Sequence, residues 1–206
     1  MTVILHDEIP APQKNGSELF QNGDRDLNFK LEEFWRWNQS DLLENRNRGL
    51  LAEFIVMKAL GIASETRLEW DSYDLVTSDQ ISIEVKSAAY VQAWAQLTYS
   101  RISFNISKTI RLQDWDNNIR EAPRRQADIY VFCLFHHKEI ETLNPMDVSQ
   151  WTFYVASTKE IDQKLGDQKS LGLSTIEYHN FQKCSFFNLK EAVEECKSYI
   201  NEYPNA

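Results

Sequence analysis

Cysteine, glycine and proline are all scarce, at three, six and five residues in a chain of 206. The cysteines Cys133, Cys184 and Cys196 are odd in number and far apart, which excludes a disulfide framework and fits a reducing, cytoplasmic setting. Cys133 lies inside the apolar run Ile129–Phe135 and reads as a buried thiol. So little glycine and proline excludes collagen-like and low-complexity chains. No run approaches the ~18 consecutive apolar residues of a membrane-spanning helix. Met1–Lys14, with Asp7, Glu8 and two prolines, lacks the basic and apolar regions of a secretory signal. His136 and His137 have no companions at zinc-ligand spacing, so no zinc centre is expected. Positive charge is also short: 22 Lys and Arg stand against 31 Asp and Glu, for a net charge of -9. Because a polyanion is usually met by a basic surface, this balance argues at first against a nucleic-acid partner.

What is present is the material of a core: 42% of residues are hydrophobic and 12% aromatic, which argues against disorder. Residues 1–26 are polar, with turn formers at Asn15-Gly16 and Asn22-Gly23, and read as a loosely ordered arm. Residues 27–206 read as a single α/β domain. Apolar spacing predicts a helix over Leu27–Trp37 and a longer one over Asp41–Leu60. Asp41 with Glu44 forms a capping pair for the second, and Gly61 is its C-terminal cap. Short strands are expected at Arg67–Trp70 and Tyr73–Val76. Ile81–Lys86 alternates cleanly, with Ile81, Ile83 and Val85 on one face and Ser82, Glu84 and Lys86 on the other. A short helix over Gln92–Leu97, a strand over Ile102–Ile106 and a basic connection over 107–126 follow. Ile129–Phe135 reads as a buried central strand and Trp151–Ala156 as another. Ser157 and Glu160 form a capping box for a helix ending before Gly166. Thr175–Tyr178 reads as a strand, and Asn188 opens a last helix to about Ile200.

Glu84 and Lys86 point to the same face of one strand, roughly 6.5–7 Å apart along it. A hairpin between 73–76 and 81–86 can bring Asp74 beside Glu84. Two neighbouring carboxylates repel, and a divalent cation with oxygen ligands offsets that repulsion. Mg²⁺ suits one or two carboxylates completed by waters and substrate phosphate. On its own, a Glu-x-Lys pair is an ordinary solvated strand face with an ion pair. Glu53 adds to the constellation. It sits among Leu50, Leu51, Phe54, Ile55 and Val56, so it is either a rim residue paired with Arg46 or Lys58, or a third acid aimed at the same site.

The order of a helix with Glu, then Asp, then Glu-x-Lys on the next strand resembles the PD-(D/E)xK nuclease superfamily, which is restriction-endonuclease-like. The matching pieces are Leu50-Leu51-Ala52-Glu53-Phe54, Tyr73-Asp74-Leu75 and Ile83-Glu84-Val85-Lys86-Ser87, with Asp128–Phe132 as the later core strand. The resemblance covers about residues 41–135. It implies a core of helix, antiparallel β-meander, helix and further strand; the C-terminal third lies outside the resemblance and reads as strand and helix additions. It implies that Asp74, Glu84 and the backbone carbonyl of Val85 bind Mg²⁺, for which Mn²⁺ could substitute. Lys86 would activate water, and Glu53 would complete the acidic set through a water. Tyr73 stands where the superfamily name has Pro, and Asp71 competes with Asp74 as the metal ligand. Gln92 and Gln96 loosely match a Gln on the helix after the Lys in RecB-like members.

A groove for DNA is expected over 86–125, where Lys86, Arg101, Lys108, Arg111, Arg120, Arg124 and Arg125 face only Asp114, Asp116 and Glu121. Trp94, Tyr99, Phe104 and Trp115 are interleaved with these cations and could stack on bases. Arg46 and Arg48 would extend the groove. The function expected is hydrolysis of phosphodiester bonds in DNA by a Mg²⁺-dependent endonuclease. The alternatives are a nuclease-like binding or regulatory module without activity, and an unrelated α/β protein. Dimers are common where both strands of a duplex are cut, so a homodimer is an open expectation, and no interface is marked in the sequence.

Overall fold

The computed structural model describes residues 11–63, 66–67, 72–110 and 122–202. The described residues fall into two compact units: 11–41 with 63 and 66–67 in one, and the remainder in the other. In the first unit, β1 (Leu19–Asn22) and β2 (Arg25–Lys30) pair as an antiparallel hairpin, and α1 (Leu31–Gln39) follows directly. Residues 19–26 are therefore ordered as a hairpin and not a loose arm. The Asn22-Gly23 turn closes it, with Gly23 at φ 62, where glycine costs least. The Phe20 and Phe29 rings stack at 4.6 Å. Helix α1 starts four residues later than its apolar spacing suggests, because Leu27–Lys30 are taken up in β2 and the Glu33 carboxylate accepts from the Lys30 N–H at 2.8 Å.

The second unit is built on a mixed five-stranded sheet ordered β3-β4-β6-β7-β9. Its strands are β3 (Leu75–Val76), β4 (Ser82–Ala89), β6 (Ile129–Phe135), β7 (Trp151–Ser157) and β9 (Gln182–Cys184). The pairs are antiparallel except β4 with β6, which is parallel. Two shorter strands, β5 (Ser103–Asn105) and β8 (Ser170–Gly172), pair separately. Helix α2 (Asn45–Leu60) buries Arg48, Ala52, Ile55, Val56 and Leu60, the stripe that a 3.6-residue period brings to one side. That stripe packs with Ile83, Val85, Val131, Cys133 and Phe153. Glu44 is itself the N-cap, accepting from the Arg46 and Asn47 N–H groups at 2.9 and 3.1 Å, so the expected Asp41/Glu44 pair is replaced by one residue. Gly61 closes α2 at φ 70, as expected.

The opposite sheet face buries Phe104, Tyr130, Phe132, Tyr154 and Ile161 in a second cluster. Helix α3 (Thr158–Leu165) contributes to it and starts at Ser157, whose Oγ accepts from the Glu160 N–H at 3.1 Å. Residues 173–178 form a helix, α4 (Leu173–Tyr178), where a strand was expected; Ile176 is its buried residue. Helix α5 (Leu189–Glu202) covers the first face through Leu189, Ala192 and Val193. The helix expected over Gln92–Leu97 does not form. There the Gln96 side chain accepts from the Gln92 N–H at 2.7 Å, and the Gln92 amide donates to Ala89 O at 2.9 Å. Side chains satisfy the backbone where helical bonds would have done so. Among the described residues no helix is long and apolar enough to cross a membrane.

The β3–β4 turn is tied to α5. Lys197 pairs with Asp79 at 2.5 Å and with Glu194 at 2.8 Å. Hydrogen bonds from Lys197 and Thr77 hold the Asp79 carboxyl down at about 2. A depressed carboxyl contributes stability above its ordinary pKa of about 3.9 and loses it as pH falls through the folded value. Asp79→Asn should therefore show a smaller loss of stability between about pH 4 and pH 2 than the wild-type chain, measured as urea midpoints across that range. Equal slopes for the two proteins would show that this pair does not couple to folding.

Candidate active site

Strand β4 places the expected chemistry. Ile83 and Val85 are buried against α2, while Glu84 and Lys86 lie half-buried on the other face. The Lys86 ammonium pairs with the Glu84 carboxylate. Asp74 sits one residue before the Leu75↔Ile83 pair of the β3–β4 hairpin. Its Oδ2 accepts the Val85 N–H at 2.7 Å, so it docks on the middle residue of Glu84-Val85-Lys86. Burial raises the Glu84 pKa above the ordinary carboxylate value, Lys86 opposes the rise, and the charges of Asp74 and Glu53 add to it. Three acids thus share one field, with Glu53 reaching it from half-buried α2. Among the described residues no group of three or more His, Cys, Asp or Glu side chains is arranged to hold a metal ion. Asp71, the competitor of Asp74, lies outside the described residues, as do 68–70 of the strand expected before it.

One functional candidate escaped sequence reasoning. Tyr130 on β6 pairs across the parallel ladder with Glu84, so the two share a face. It helps line a pocket of about 90 Å³ with Glu84, Lys86, Asn105, Ser107 and Gln126. Burial, and then the Glu84 charge, push its phenol pKa up. Its position inside the apolar run 129–135 reads as core, and only the register with Glu84 separates it from the rest.

The expected DNA-contacting residues divide sharply. Arg48 is 4% exposed. Its guanidinium donates to Leu43 O at 3.0 Å, Asn45 Oδ1 at 2.8 Å, Ser87 Oγ at 3.2 Å and Gln92 Oε1 at 3.0 Å. Arg125 is also 4% exposed, donating to Ile106 O at 2.9 Å, Gly166 O at 3.0 Å and Gln168 O at 2.9 Å, and pairing with Asp162. Both were expected at the DNA groove; both are buried instead, because each satisfies acceptors that would otherwise be buried unpaired. Lys108 pairs with Asp167 at 2.8 Å. Gln92 and Gln96 are spent on the loop they occupy, each donating to Ser100 Oγ. Arg46, Arg101 and Arg124 are exposed. So are Trp94 and Tyr99, whereas Phe104 belongs to the core. Lys138 adds a cation not foreseen, stacked over the rings of Tyr90 and Tyr99 at 4.2 and 5.1 Å. Arg111, Arg120 and Trp115 lie outside the described residues.

Two acids and a lysine are thus gathered at one strand of an α/β unit. The family model of bacteriophage T4 endonuclease IV matches residues 21–175, most of the chain, and the chain belongs to that family. It is therefore a member of a nuclease family. No curated protein matches it.

The two classes of arginine should separate experimentally. Arg125→Met takes a donor from three carbonyls and one of two cations from Asp162, and should cost about 3–5 kcal/mol in urea unfolding. Arg101→Ala and Arg124→Ala should change stability by no more than about 0.5 kcal/mol. A stable Arg125→Met protein would mean that the buried guanidinium is not structural.

Proposed function

We propose that the chain is a metal-dependent endonuclease that hydrolyses phosphodiester bonds in DNA, using the active-site plan of the PD-(D/E)xK superfamily. The observation that carries this reading is the docking of the Asp74 carboxylate on the Val85 N–H, which sets the first acid against the Glu84-Val85-Lys86 segment. In an extended strand the N–H and C=O of one residue point to the same edge. The Val85 carbonyl therefore turns toward Asp74. Two carboxylates and a carbonyl are hard oxygen donors of the type that suits Mg²⁺, with Mn²⁺ as a substitute and waters completing the set. A carboxylate offers several lone pairs, so the Asp74 bond to Val85 is compatible with this role. Glu53 would act through one of those waters. The raised pKa of Glu84 supports the same reading, since a buried carboxylate among other acids is favourably compensated by a cation.

When bound, the cation would polarise the phosphoryl oxygens and lower the pKa of water. Lys86, whose ammonium is held in place by Glu84, would orient the attacking water and stabilise charge developing on the phosphoryl group. Water would give up a proton as it adds to phosphorus, the bond to the leaving sugar oxygen would break, and that oxygen would take up a proton. Exposed Arg46, Arg101 and Arg124 would contact backbone phosphates, with Trp94 and Tyr99 nearby in sequence to meet bases.

Cleavage of DNA should require Mg²⁺ or Mn²⁺ and stop on chelation. Asp74→Ala and Lys86→Ala should each lower the rate by about 100-fold or more with an unchanged circular dichroism spectrum. If both variants cut as fast as the parent, the site is misassigned. If the parent binds DNA and never cuts it, the chain is the inactive binding module.

A further inference from the structure

We propose that the Tyr130 hydroxyl is a catalytic hydrogen-bond donor in this centre and contacts a non-bridging oxygen of the scissile phosphate. The inference rests on the nuclease reading above and adds a residue to it. Three observations carry it. The first is register: β4 and β6 run parallel with Glu84 opposite Tyr130 and Lys86 opposite Phe132, so the phenol stands on the face that presents the Glu84–Lys86 pair.

The second is an unspent polar group. Tyr130 is 4% exposed, and its hydroxyl has no hydrogen-bond partner among the described residues. The ring is buried but the oxygen opens into the pocket, which leaves its donor available to a group bound there. Three of its neighbours in the pocket have found theirs. The Gln126 amide donates to Thr109 O at 2.6 Å, the Ser107 hydroxyl donates to Lys169 O at 3.4 Å, and Lys86 is paired with Glu84. The Tyr130 ring is held by stacking on Phe132 at 5.8 Å, so its orientation is set before any substrate arrives.

The third is the shape and charge of the pocket. At about 90 Å³ it is small beside the 300–1,000 Å³ of ordinary ligand sites, which fits a phosphoryl group better than a whole nucleotide. The acids beside it would repel a phosphate unless donors face it. An uncharged phenol supplies a donor without a second cation competing for Glu84. As water adds to phosphorus, negative charge grows on the non-bridging oxygens, and a donor already in place gains strength at that moment.

The test compares the full chain with Tyr130→Phe on a DNA substrate in Mg²⁺. Because the hydroxyl has no internal partner, the variant should melt no lower than wild type. Its kcat should fall about 10- to 100-fold while KM stays within about threefold. A fall in kcat of less than about fivefold overturns the proposal, as does a larger fall matched by a lower folded fraction, which would assign Tyr130 to packing. Wild-type protein that cuts normally beside an equally active Tyr130→Phe removes the inference and leaves the nuclease reading intact. Wild-type protein that cuts no DNA in Mg²⁺ or Mn²⁺ removes both.

Discussion

The register between β4 and β6 is the constraint on which the site depends. In a strand, side chains alternate between faces, so a slip of one residue exchanges the whole set. Here a slip would drive Glu84 and Lys86 into the cluster beneath α2 and expose Ile83 and Val85. The register is locked at its first step. Asp128 accepts from the Ser82 N–H at 2.9 Å and from the Ser82 hydroxyl at 2.6 Å, and its own N–H donates to Ser82 O at 3.0 Å. Thr158 at the start of α3 then donates its N–H to Asp128 O at 2.8 Å, which brings a helix into the same lock. A parallel pair has no short hairpin to align it. A side-chain clamp at the entry of both strands does that work, and it sets Tyr130 opposite Glu84.

A sheet covered on both faces leaves few places for charge. Helices α2 and α5 close one side; α3, α4 and the β5–β8 ribbon close the other. Glu84 and Lys86 occupy the part of the second face where that cover opens into the pocket. Holding two charges partly out of water costs free energy that their attraction only in part returns. The raised pKa of Glu84 is the signature of that cost. A core built for stability alone would favour apolar residues at 84 and 86, so strain of this kind at a pocket is what a reactive centre leads one to expect.

How legible the fold was in the sequence follows from how local each cause is. The alternation of β4, the Ser157 cap and the Gly61 cap are written within a few residues and read correctly. The Asp74–Glu84 proximity needed only a short hairpin. Arg48 and Arg125 were misread because nothing near them shows their fate. Their partners lie up to 44 and 43 residues away, and a buried arginine that collects carbonyls looks in sequence like any surface cation. Residues 92–97 failed for a related reason: two glutamines that favour helix are used to bind their own loop. Tyr130 was hidden in a strand buried on both faces, where the alternation that would mark its direction is absent.

The burial of arginines also changes the meaning of the net charge of -9. The cations between 86 and 125 look like a basic groove, yet among those described Lys86, Lys108 and Arg125 are already paired with acids. Arg101 and Arg124 remain exposed there. Affinity for DNA through phosphate contacts scales with the number of cations that release counterions. Among the described residues of this stretch, so few exposed cations, set against carboxylates at the proposed centre, supply little attraction at long range. Binding would then draw on local contacts: a cation shared between acids and phosphate, and aromatic surfaces beside Lys138. In such an arrangement the groups that hold the substrate are largely those that act on it, so weakened metal binding would lower affinity and rate together.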